Sequence, residues 1–326
     1  MKAPSFDDIL EAQTRINEII NQTPFLYSPV LNDIMGANIF IKAESLQPRG
    51  AFKIRGAANA IFKRKNEALL NGVIAYSSGN HAQGVALACK YIGAKATIIV
   101  PKDVPLAKLK PAQDDGAEII FYDRKTESRE EIGANLQKQT GAILVPPYDH
   151  PDVIAGQGTI GLEIANFATN NDIKFDYVVT PASGGGLASG IGIALKELSP
   201  NTKIIISEPE GYDDMALSLD AGERKRIKDI NYPSLLDALQ APIPGEITFE
   251  ILKEIGARAF PISDNEALRA VKFAFENFHL VLEPSGASSL ALVMENKIPA
   301  KNNNICIIAS GGNIDIQVLQ KALMLS

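Results

Sequence analysis

The chain has 326 residues, 46% of them hydrophobic, and a formal net charge of -6 at pH 7. Length and composition are typical of a globular protein with a large core, built as one big domain or two smaller ones. A mildly acidic chain without a block of like charges is a poor partner for nucleic acid or for an anionic membrane.

The first predicted element is a helix close to the N-terminus. Ser5 and Asp8 form a helix-start pattern, and Ile9, Ile16, Ile19 and Ile20 follow at spacings consistent with one buried face. This segment carries acids where a signal peptide needs an apolar stretch. No run of about 18 uncharged apolar residues occurs anywhere, so we expect a cytoplasmic protein without a membrane span.

Short β-rich runs then alternate with helical stretches. The runs are NIFIKAE, VIAYS, ATIIV, AEIIFY, AILVPP, FDYVVT, KIIISE and NICIIAS. Strands alternating with helices predict an α/β fold with a parallel sheet covered on both faces. Residues 70–147 form a compact set of such units, which predicts a small mobile domain inserted into a large domain of residues 1–69 and 148–326.

Two of the loops that follow predicted strands are suited to anions. Ligands of parallel sheets bind at the carboxyl ends of strands. SSGNHAQG (77–84) places hydroxyls, an amide and an imidazole at a helix start, and a plain polar helix cap is the alternative reading. TPASGGGLASG (180–190) has three successive glycines, whose backbone N–H groups can converge on a phosphate. Its spacing also loosely resembles a dinucleotide fingerprint, with Glu208 as the acid for a ribose, so an NAD-dependent oxidoreductase is a rival reading.

Two further loops offer other chemistry. SGGNID (310–315) places a hydroxyl at a strand end, beside glycines that let a flat ligand approach. SEPEGYDD (207–214) has two carboxylates flanking a turn, which suits a hard cation, although an acidic turn alone is more often simply solvated. Cys89 and Cys306 have no metal-type spacing and are expected to be buried and reduced. The three histidines include no His-x-x-x-His pair, which argues against a zinc hydrolase.

The stretch GAFKIRGA (50–57) supplies the reactive group that these loops lack. Lys53 follows an aromatic residue and stands among glycines and other small residues. A lysine combined with a phosphate loop and a strand-end hydroxyl is typical of pyridoxal phosphate enzymes, which hold their cofactor through a lysine Schiff base. Such a lysine acts as a nucleophile and proton carrier if its pKa is lowered.

The sequence resembles the fold-type II pyridoxal phosphate enzymes of the threonine dehydratase and serine racemase family. Seven motifs occur in the family's order across nearly the whole chain: ESLQPRGAFKIRGAANA, SSGNHAQGVALA, VIAGQGTIGLEI, SGGGLASGI, SEPEGYDD, EPSGA and SGGN. The resemblance implies a tryptophan synthase β-like fold and a homodimer, with a small amino acid as substrate.

The resemblance also implies roles for individual residues. Lys53 would bind the cofactor and move the Cα proton, Phe52 would pack near the ring, Asn80 would bind the phenolic oxygen, and Ser310 would face the pyridine nitrogen. The phosphate would lie on the backbone of Ser183, Gly184, Gly185, Gly186 and Leu187. Ser77, Asn80 and His81 would receive the substrate carboxylate. Glu208, the carbonyl of Tyr212 and Asp214 would hold an activating Mg²⁺, Ca²⁺ or Mn²⁺.

Several positions depart from the family's usual pattern. Arg49 and Ala51 replace a threonine and a serine before the lysine, Ser183 replaces a glycine, and Ala238 replaces another glycine. None of these changes removes a catalytic group. They leave the substrate open among threonine, serine and a hydroxyaspartate.

Two residues bear on the choice of reaction. Elimination from L-threonine or L-serine, giving a 2-oxo acid and ammonia, is the favoured activity. Ser78 keeps racemisation open, because a serine there can return a proton from the opposite face. Arg129 has two readings, a helix-face cation paired with Glu127 or Glu130, or a cation that enters the site on closure and binds a second carboxylate. The second reading favours threo-3-hydroxyaspartate, and Glu283 is read either as a helix-start residue or as a neighbour of the cofactor.

Overall fold

The computed structural model describes residues 1–229 and 232–325, which form ten β-strands and fourteen α-helices. The strands are β1 Phe25–Tyr27, β2 Asn38–Lys42, β3 Val73–Tyr76, β4 Ala96–Pro101, β5 Glu118–Tyr122, β6 Ile143–Leu144, β7 Tyr177–Pro181, β8 Lys203–Pro209, β9 Arg258–Ile262 and β10 Asn304–Ile308. The helices are α1 Phe6–Ile16, α2 Pro29–Met35, α3 Lys53–Lys63, α4 Lys65–Asn71, α5 Asn80–Ile92, α6 Leu106–Asp114, α7 Arg129–Thr140, α8 Pro151–Asn170, α9 Gly186–Leu198, α10 Asp214–Ala221, α11 Glu246–Glu254, α12 Asp264–Phe278, α13 Pro284–Met294 and α14 Ile316–Leu323.

The strands form two sheets. The large sheet has six strands in the order β1-β2-β10-β7-β8-β9, and the small sheet has four in the order β5-β4-β3-β6. All neighbouring strands are parallel except β1, which runs antiparallel to β2. The predicted α/β class with parallel sheets is therefore confirmed.

All eight strands predicted from the sequence are present, and two further strands were missed. The missed strands, β1 and β9, are the two edges of the large sheet. β1 has only three residues, and β9 contains Pro261. Proline is tolerated at a sheet edge because its missing N–H removes no bond from the ladder. Short or proline-containing edge strands give little of the pattern that identifies a buried strand.

The N-terminal helix begins where the sequence predicts. The Ser5 side chain accepts a hydrogen bond from the Asp8 backbone N–H, and the Asp8 carboxylate accepts one from the Ser5 N–H, forming a capping box. Ile9 and Ile16 lie on the buried face. The helix ends at Ile16, so Ile19 and Ile20 lie beyond it, although Ile19 is still buried.

The small sheet lies within residues 70–147, the range that the sequence assigns to a small domain. Its hydrophobic core is continuous with α3, since one cluster joins Ile54 and Ile61 of α3 to Val85 of α5 and Ile98 of β4. Independent movement of residues 70–147 stays a prediction. It would require this core to shift against α3.

A buried cluster of four charged residues connects the start of α3 to the large sheet. Arg55 of α3 donates to Glu44 and Glu163, and Lys42 of β2 forms an ion pair with Glu163 of α8. Two cations and two carboxylates balance in charge, so burial leaves no net charge without a partner. Because Arg55 lies two residues after Lys53, this cluster fixes the first turn of α3.

Among the described residues, no helix is both long and apolar enough to cross a membrane.

Candidate active site

Lys53 is the first residue of α3, the helix that packs against both α5 on the side of the small sheet and α8 on the side of the large sheet. The region between these two sides is called the cleft here. Its Nζ donates a hydrogen bond to the carbonyl oxygen of Pro147 at 2.8 Å and lies 5.1 Å from the centre of the Phe52 ring. Loss of water around the amine lowers the pKa of Lys53 to about 8. The amine is therefore neutral in a substantial fraction of molecules near neutral pH, which a nucleophile or base requires.

The segment before Lys53 is connected to the end of β10. The Phe52 N–H donates to the Ser310 carbonyl at 3.1 Å, and Ala51 pairs with Gly311 in an isolated β-bridge. These contacts bring the loop SGGNID next to the lysine. Ser310 is buried at this junction.

The glycine loop between β7 and α9 has the shape of an anion cradle. A Cβ atom on Gly184 would lie 2.1 Å from the Tyr148 ring, and one on Gly186 would lie 3.0 Å from the Tyr148 backbone. Gly185 has φ 93°, a conformation that L side chains rarely adopt. The first N–H groups of α9 have no acceptor within the helix and are available to an anion at this loop. Ser183 belongs to the loop, and its hydroxyl oxygen accepts from the Ala241 N–H.

The N-terminus of α5 contains the four polar residues that the sequence singled out. Ser77 Oγ accepts from the Gly79 N–H at 3.3 Å, and Ser78 lies half-buried beside it. The Asn80 amide donates to Glu283 Oε1 at 2.7 Å. Asn80 Oδ1 accepts from Asn313 at 2.8 Å. The start of α5 is thus joined by side chains to the start of α13 and to the loop after β10.

His81 is buried and neutral. Its Nε2 lies 2.9 Å from the Val145 carbonyl, so this nitrogen carries the ring proton in a neutral imidazole, and Nδ1 is buried without a partner. Burial, with the nearby charge of Lys53 as a second cause, lowers the pKa of His81 to about 3. A neutral ring arranged in this way has no second N–H to give a carboxylate. Any carboxylate contact predicted for His81 therefore belongs to its backbone N–H at the start of α5.

Glu283 lies at the start of α13, and its place next to the cofactor stays a prediction. It is the residue that precedes α13, and its side chain reaches Asn80. Burial, followed by the charge of Asp237, raises the pKa of Glu283 to about 8. The carboxyl group is largely protonated at neutral pH, which lets a buried acid lie here without a cation.

Three residues of the site were not given roles by the sequence. The Pro147 carbonyl binds Lys53, the Tyr148 ring covers Gly184, and the Asn313 amide bridges Asn80 and the Arg49 carbonyl. Pro147 acts through its backbone, which residue type does not indicate. Asn313 could have been found, because an amide directly after two strand-end glycines is placed to face a ligand.

The two predicted acids at the end of β8 and the start of α10, Glu208 and Asp214, are buried. Glu208 accepts from the backbone N–H groups of Met215 and Ala216 at 2.9 and 2.8 Å. Both carboxylate oxygens of Asp214 are buried without a partner. Burial is the largest cause that raises the pKa of both acids, that of Asp214 to about 8. Since Glu208 is engaged within this turn, it does not serve a ribose, and the NAD reading is not supported.

Two neighbouring buried carboxylates, one of them unpartnered, fit a hard cation. Tyr212 lies in the same turn and is buried. Within residues 1–229 and 232–325, no cluster of three or more His, Cys, Asp or Glu side chains could hold a metal. A cation here would therefore need backbone carbonyls or water as further ligands.

Arg129 begins α7 and is paired with Glu130, and its entry into the site on closure stays a prediction. Its Nε donates to Glu130 at 2.8 Å, and its guanidinium lies 5.3 Å from the centre of the Tyr76 ring. The side chain is 47% exposed. Burial raises the pKa of Tyr148, whose ring packs on the glycine loop, and the nearby positive charge of Arg129 acts against this rise. The Arg129 guanidinium thus lies on the same side of the cleft as the glycine loop.

Comparison with known proteins identifies the family to which this arrangement belongs. The family model described as "Pyridoxal-phosphate dependent enzyme" matches residues 16–311. The chain belongs to this family. The L-threo-3-hydroxyaspartate ammonia-lyase of Saccharomyces cerevisiae is 42% identical over 97% of this chain and 95% of that protein. The L-threonine ammonia-lyase of Thermotoga maritima is 38% identical over 98% of this chain and 78% of that protein.

Solved structures agree with the sequence comparisons. Maize serine racemase superposes with a TM-score of 0.91 at 35% identity, covering 98% of this chain and 97% of that one. The predicted fold-type II pyridoxal phosphate fold is confirmed. The chain is an enzyme of the group that contains the threonine and serine dehydratases and the serine racemases.

Proposed function

We propose that this chain catalyses α,β-elimination on L-threonine and L-serine, converting each 3-hydroxy amino acid to a 2-oxo acid and ammonia. The observation that carries the proposal is the Lys53 amine, which is desolvated at the start of α3 and held by a single carbonyl. A base of this kind is suited to removing the Cα proton. The polar start of α5 offers backbone N–H groups for the substrate carboxylate.

Pyridoxal phosphate fits the residues around Lys53. Its phosphate would lie on the backbone of residues 183–187, three of which are glycines that pack closely against Tyr148 and Met215. The Asn80 amide would bind the phenolic oxygen, Phe52 would pack near the ring, and the Ser310 hydroxyl would face the pyridine nitrogen. When bound, the cofactor delocalises the electron pair left at Cα after proton removal. A neutral hydroxyl would not hold a proton on the ring nitrogen as a carboxylate would, so the bound ring would withdraw fewer electrons, which favours elimination over transamination.

Lys53 would remove the Cα proton, and the residues at the start of α5 would bind the substrate carboxylate. Lys53 takes the proton from Cα, and Ser77 with the backbone of Asn80 and His81 holds the substrate carboxylate. Ser78 lies in the same turn and would have to supply a proton from the opposite face for racemisation. Racemisation therefore stays an alternative activity of the same site. A homodimer and a cytoplasmic location likewise stay predictions.

A divalent cation is the second part of the proposal. Glu208, Asp214 and the Tyr212 carbonyl would hold Mg²⁺, Ca²⁺ or Mn²⁺, and the unpartnered carboxylate of Asp214 supports this. The turn touches the glycine loop, because a Cβ on Gly185 would lie 2.8 Å from Met215 Cε. We expect the cation to stabilise the loop that binds the phosphate.

Removal of the cation tests this assignment. Mg²⁺ at about 100 times its dissociation constant adds about 2.7 kcal/mol to the free energy of unfolding, which corresponds to a rise of roughly 4 °C in Tm for a chain of this size. We expect a chelator to reverse the rise. The variant Asp214→Asn should show the same Tm with and without Mg²⁺. A chelator-sensitive Tm in Asp214→Asn would place the cation elsewhere.

Arg129 favours a second candidate substrate, threo-3-hydroxyaspartate. Its guanidinium lies against Tyr76 at the cleft and is about half exposed, so it can form a bidentate contact with a second carboxylate. The substrate carboxylate would replace Glu130 as the partner of the Arg129 guanidinium, so the cation would stay paired. The hydroxyaspartate ammonia-lyase activity named for the yeast relative supports this candidate.

The deciding experiment measures 2-oxo acid and ammonia released from L-serine, L-threonine and both threo-3-hydroxyaspartate enantiomers. Turnover of serine and threonine alone supports the main proposal, and Lys53→Ala should abolish it. Preference for a hydroxyaspartate, lost selectively in Arg129→Ala, supports the second candidate. Equal losses on serine and hydroxyaspartate in Arg129→Ala would contradict the role of Arg129. Formation of D-amino acid without oxo acid would replace elimination by racemisation.

A further inference from the structure

Arg49 makes a contact between the two sheets that the site described above does not use. It lies in the turn between β2 of the large sheet and α3, four residues before Lys53. Its Nε donates to Asp115 Oδ2 at 2.7 Å, and a second guanidinium N–H bonds the other oxygen of the same carboxylate. Asp115 follows α6 and precedes β5, so it belongs to the small-sheet side of the cleft.

This ion pair has the features of a specific contact. The Asp115 side chain is fully buried, and the Arg49 side chain is 32% exposed. Burial acts to raise the pKa of Asp115, but hydrogen bonds from Arg49 and Lys90 outweigh it and the pKa is lowered. The carboxylate is thus ionised and meets a planar guanidinium through two parallel bonds, the geometry that only arginine supplies.

The backbone of the Arg49 turn is held from the opposite side by the loop after β10. The Asn313 amide donates to the Arg49 carbonyl at 2.8 Å, and the Gly312 N–H donates to the Gly50 carbonyl at 2.9 Å. Arg49 and Gly50 have φ values of 64° and 71°. An arginine seldom adopts this left-handed conformation, so the surrounding contacts must hold it there.

The other end of α6 is also attached to the large-sheet side. Lys108, in the first turn of α6, forms an ion pair with Asp237, and Asp115 follows the last turn. The two contacts fasten both ends of one small-sheet helix across the cleft. One of the two contacts, the Arg49–Asp115 ion pair, lies in the turn that leads into Lys53.

We propose that Arg49 is a positioning residue for Lys53, and that Asp115 sets its position from the opposite side of the cleft. The ion pair fixes the left-handed turn and thereby the direction in which α3 presents the lysine amine. Because the ion pair joins the two sides of the cleft, the position of the Lys53 amine also depends on how closely the two sheets lie together. The inference rests on the proposed function only in that the positioned amine performs the chemistry.

The test compares Arg49→Ala, Asp115→Asn and the double variant in the cofactor-loaded enzyme. We expect each single variant to lower kcat about tenfold or more, with KM changed less than about twofold and normal cofactor content. The double variant should be no worse than the poorer single variant, because both remove one contact. Arg49→Lys keeps the charge without the paired bonds and should recover only part of kcat. Wild-type kcat in Arg49→Ala, or additive losses in the double variant, would overturn the proposal.

Lys90→Ala is the matched control. Lys90 binds the same Asp115 carboxylate at 2.9 Å from α5, on the side of the small sheet. We expect this variant to keep wild-type kcat. A loss equal to that of Arg49→Ala would show that Asp115 acts only by stabilising its own turn. Because Asp115 is buried, the Arg49 variants and Lys90→Ala decide the question if Asp115→Asn does not fold.

The visible circular dichroism of the bound cofactor separates this inference from the proposed function. The signal reports how the cofactor is held at Lys53 and does not require turnover. If the wild-type enzyme turned over none of the amino acids, the proposed function would fail. A changed signal in Arg49→Ala, with Lys90→Ala unchanged, would still support positioning. An unchanged signal in Arg49→Ala would overturn it.

Discussion

At the scale of single residues, Lys53 shows how an ordinary side chain becomes reactive. Its amine has lost most of its water and gained in return a hydrogen bond to the Pro147 carbonyl and a contact with the Phe52 ring. His81, close by, is kept neutral by the same burial. Neither group gains an anionic partner that would restore its charge. The site therefore supplies neutral nitrogen bases at a pH where free lysine is almost wholly protonated.

The lowered pKa of Lys53 predicts how the cofactor-free protein captures pyridoxal phosphate. Only the neutral amine attacks the aldehyde, so the capture rate should rise with pH around a midpoint near 8. At pH 7.5, roughly a quarter of an amine with this pKa is neutral, against about one in a thousand for an amine with the ordinary pKa of a free lysine. Stopped-flow absorbance at a series of pH values measures the midpoint. Lys53→Ala should show no such phase, and a midpoint above about 10 would contradict the desolvated amine.

At the scale of elements, the Lys42–Glu44–Arg55–Glu163 cluster holds β2, α3 and α8 together beneath the site. Arg55 bonds Glu44 through Nε at 2.8 Å and Glu163 through Nη1 at 2.7 Å. Lys42 adds a bond to the Thr23 carbonyl at 2.6 Å. Because the cluster is buried and satisfied, its members are costly to remove singly.

Arg55→Met should lower the free energy of unfolding by about 3–5 kcal/mol, since it leaves two buried carboxylates with only Lys42 for charge balance. Denaturant unfolding monitored by circular dichroism measures the loss. Arg269→Met is the control, because Arg269 forms an exposed pair with Glu295 and its removal should cost less than about 1 kcal/mol. Similar losses in the two variants would show that burial of the cluster does not govern its contribution.

The sequence predicted elements better than it predicted contacts between them. Continuous apolar runs identified the eight interior and small-sheet strands, because burial on both faces leaves a strong local pattern. Lys53 was identifiable because its side chain carries the reactive amine. The glycine loop was identifiable because successive residues without side chains leave the backbone N–H groups accessible. Pro147, Tyr148 and Asp115 were not assigned roles. Their importance arises from distant partners, which no local pattern encodes.

At the scale of the whole molecule, the two sheets share a cleft but not a single core. The large sheet and the small sheet are separate hydrogen-bonded units, joined through α3, which packs against both α5 and α8. Cys89 lies in the cluster around the small sheet, and Cys306 lies in a cluster of the large sheet. Each thiol therefore reports on the opening of a different unit.

Thiol labelling tests whether residues 70–147 open separately. Burial raises the pKa of both cysteines to about 12, so at pH 8 only about one thiol in ten thousand is a thiolate and neither should react in the folded protein. In single-cysteine variants made by Cys89→Ala and Cys306→Ala, we expect Cys89 to react at lower denaturant than Cys306, because the four-stranded unit has less sheet to break. Labelling of both thiols at one common denaturant concentration would mean that the molecule unfolds as a single unit. That outcome would contradict separate opening of residues 70–147.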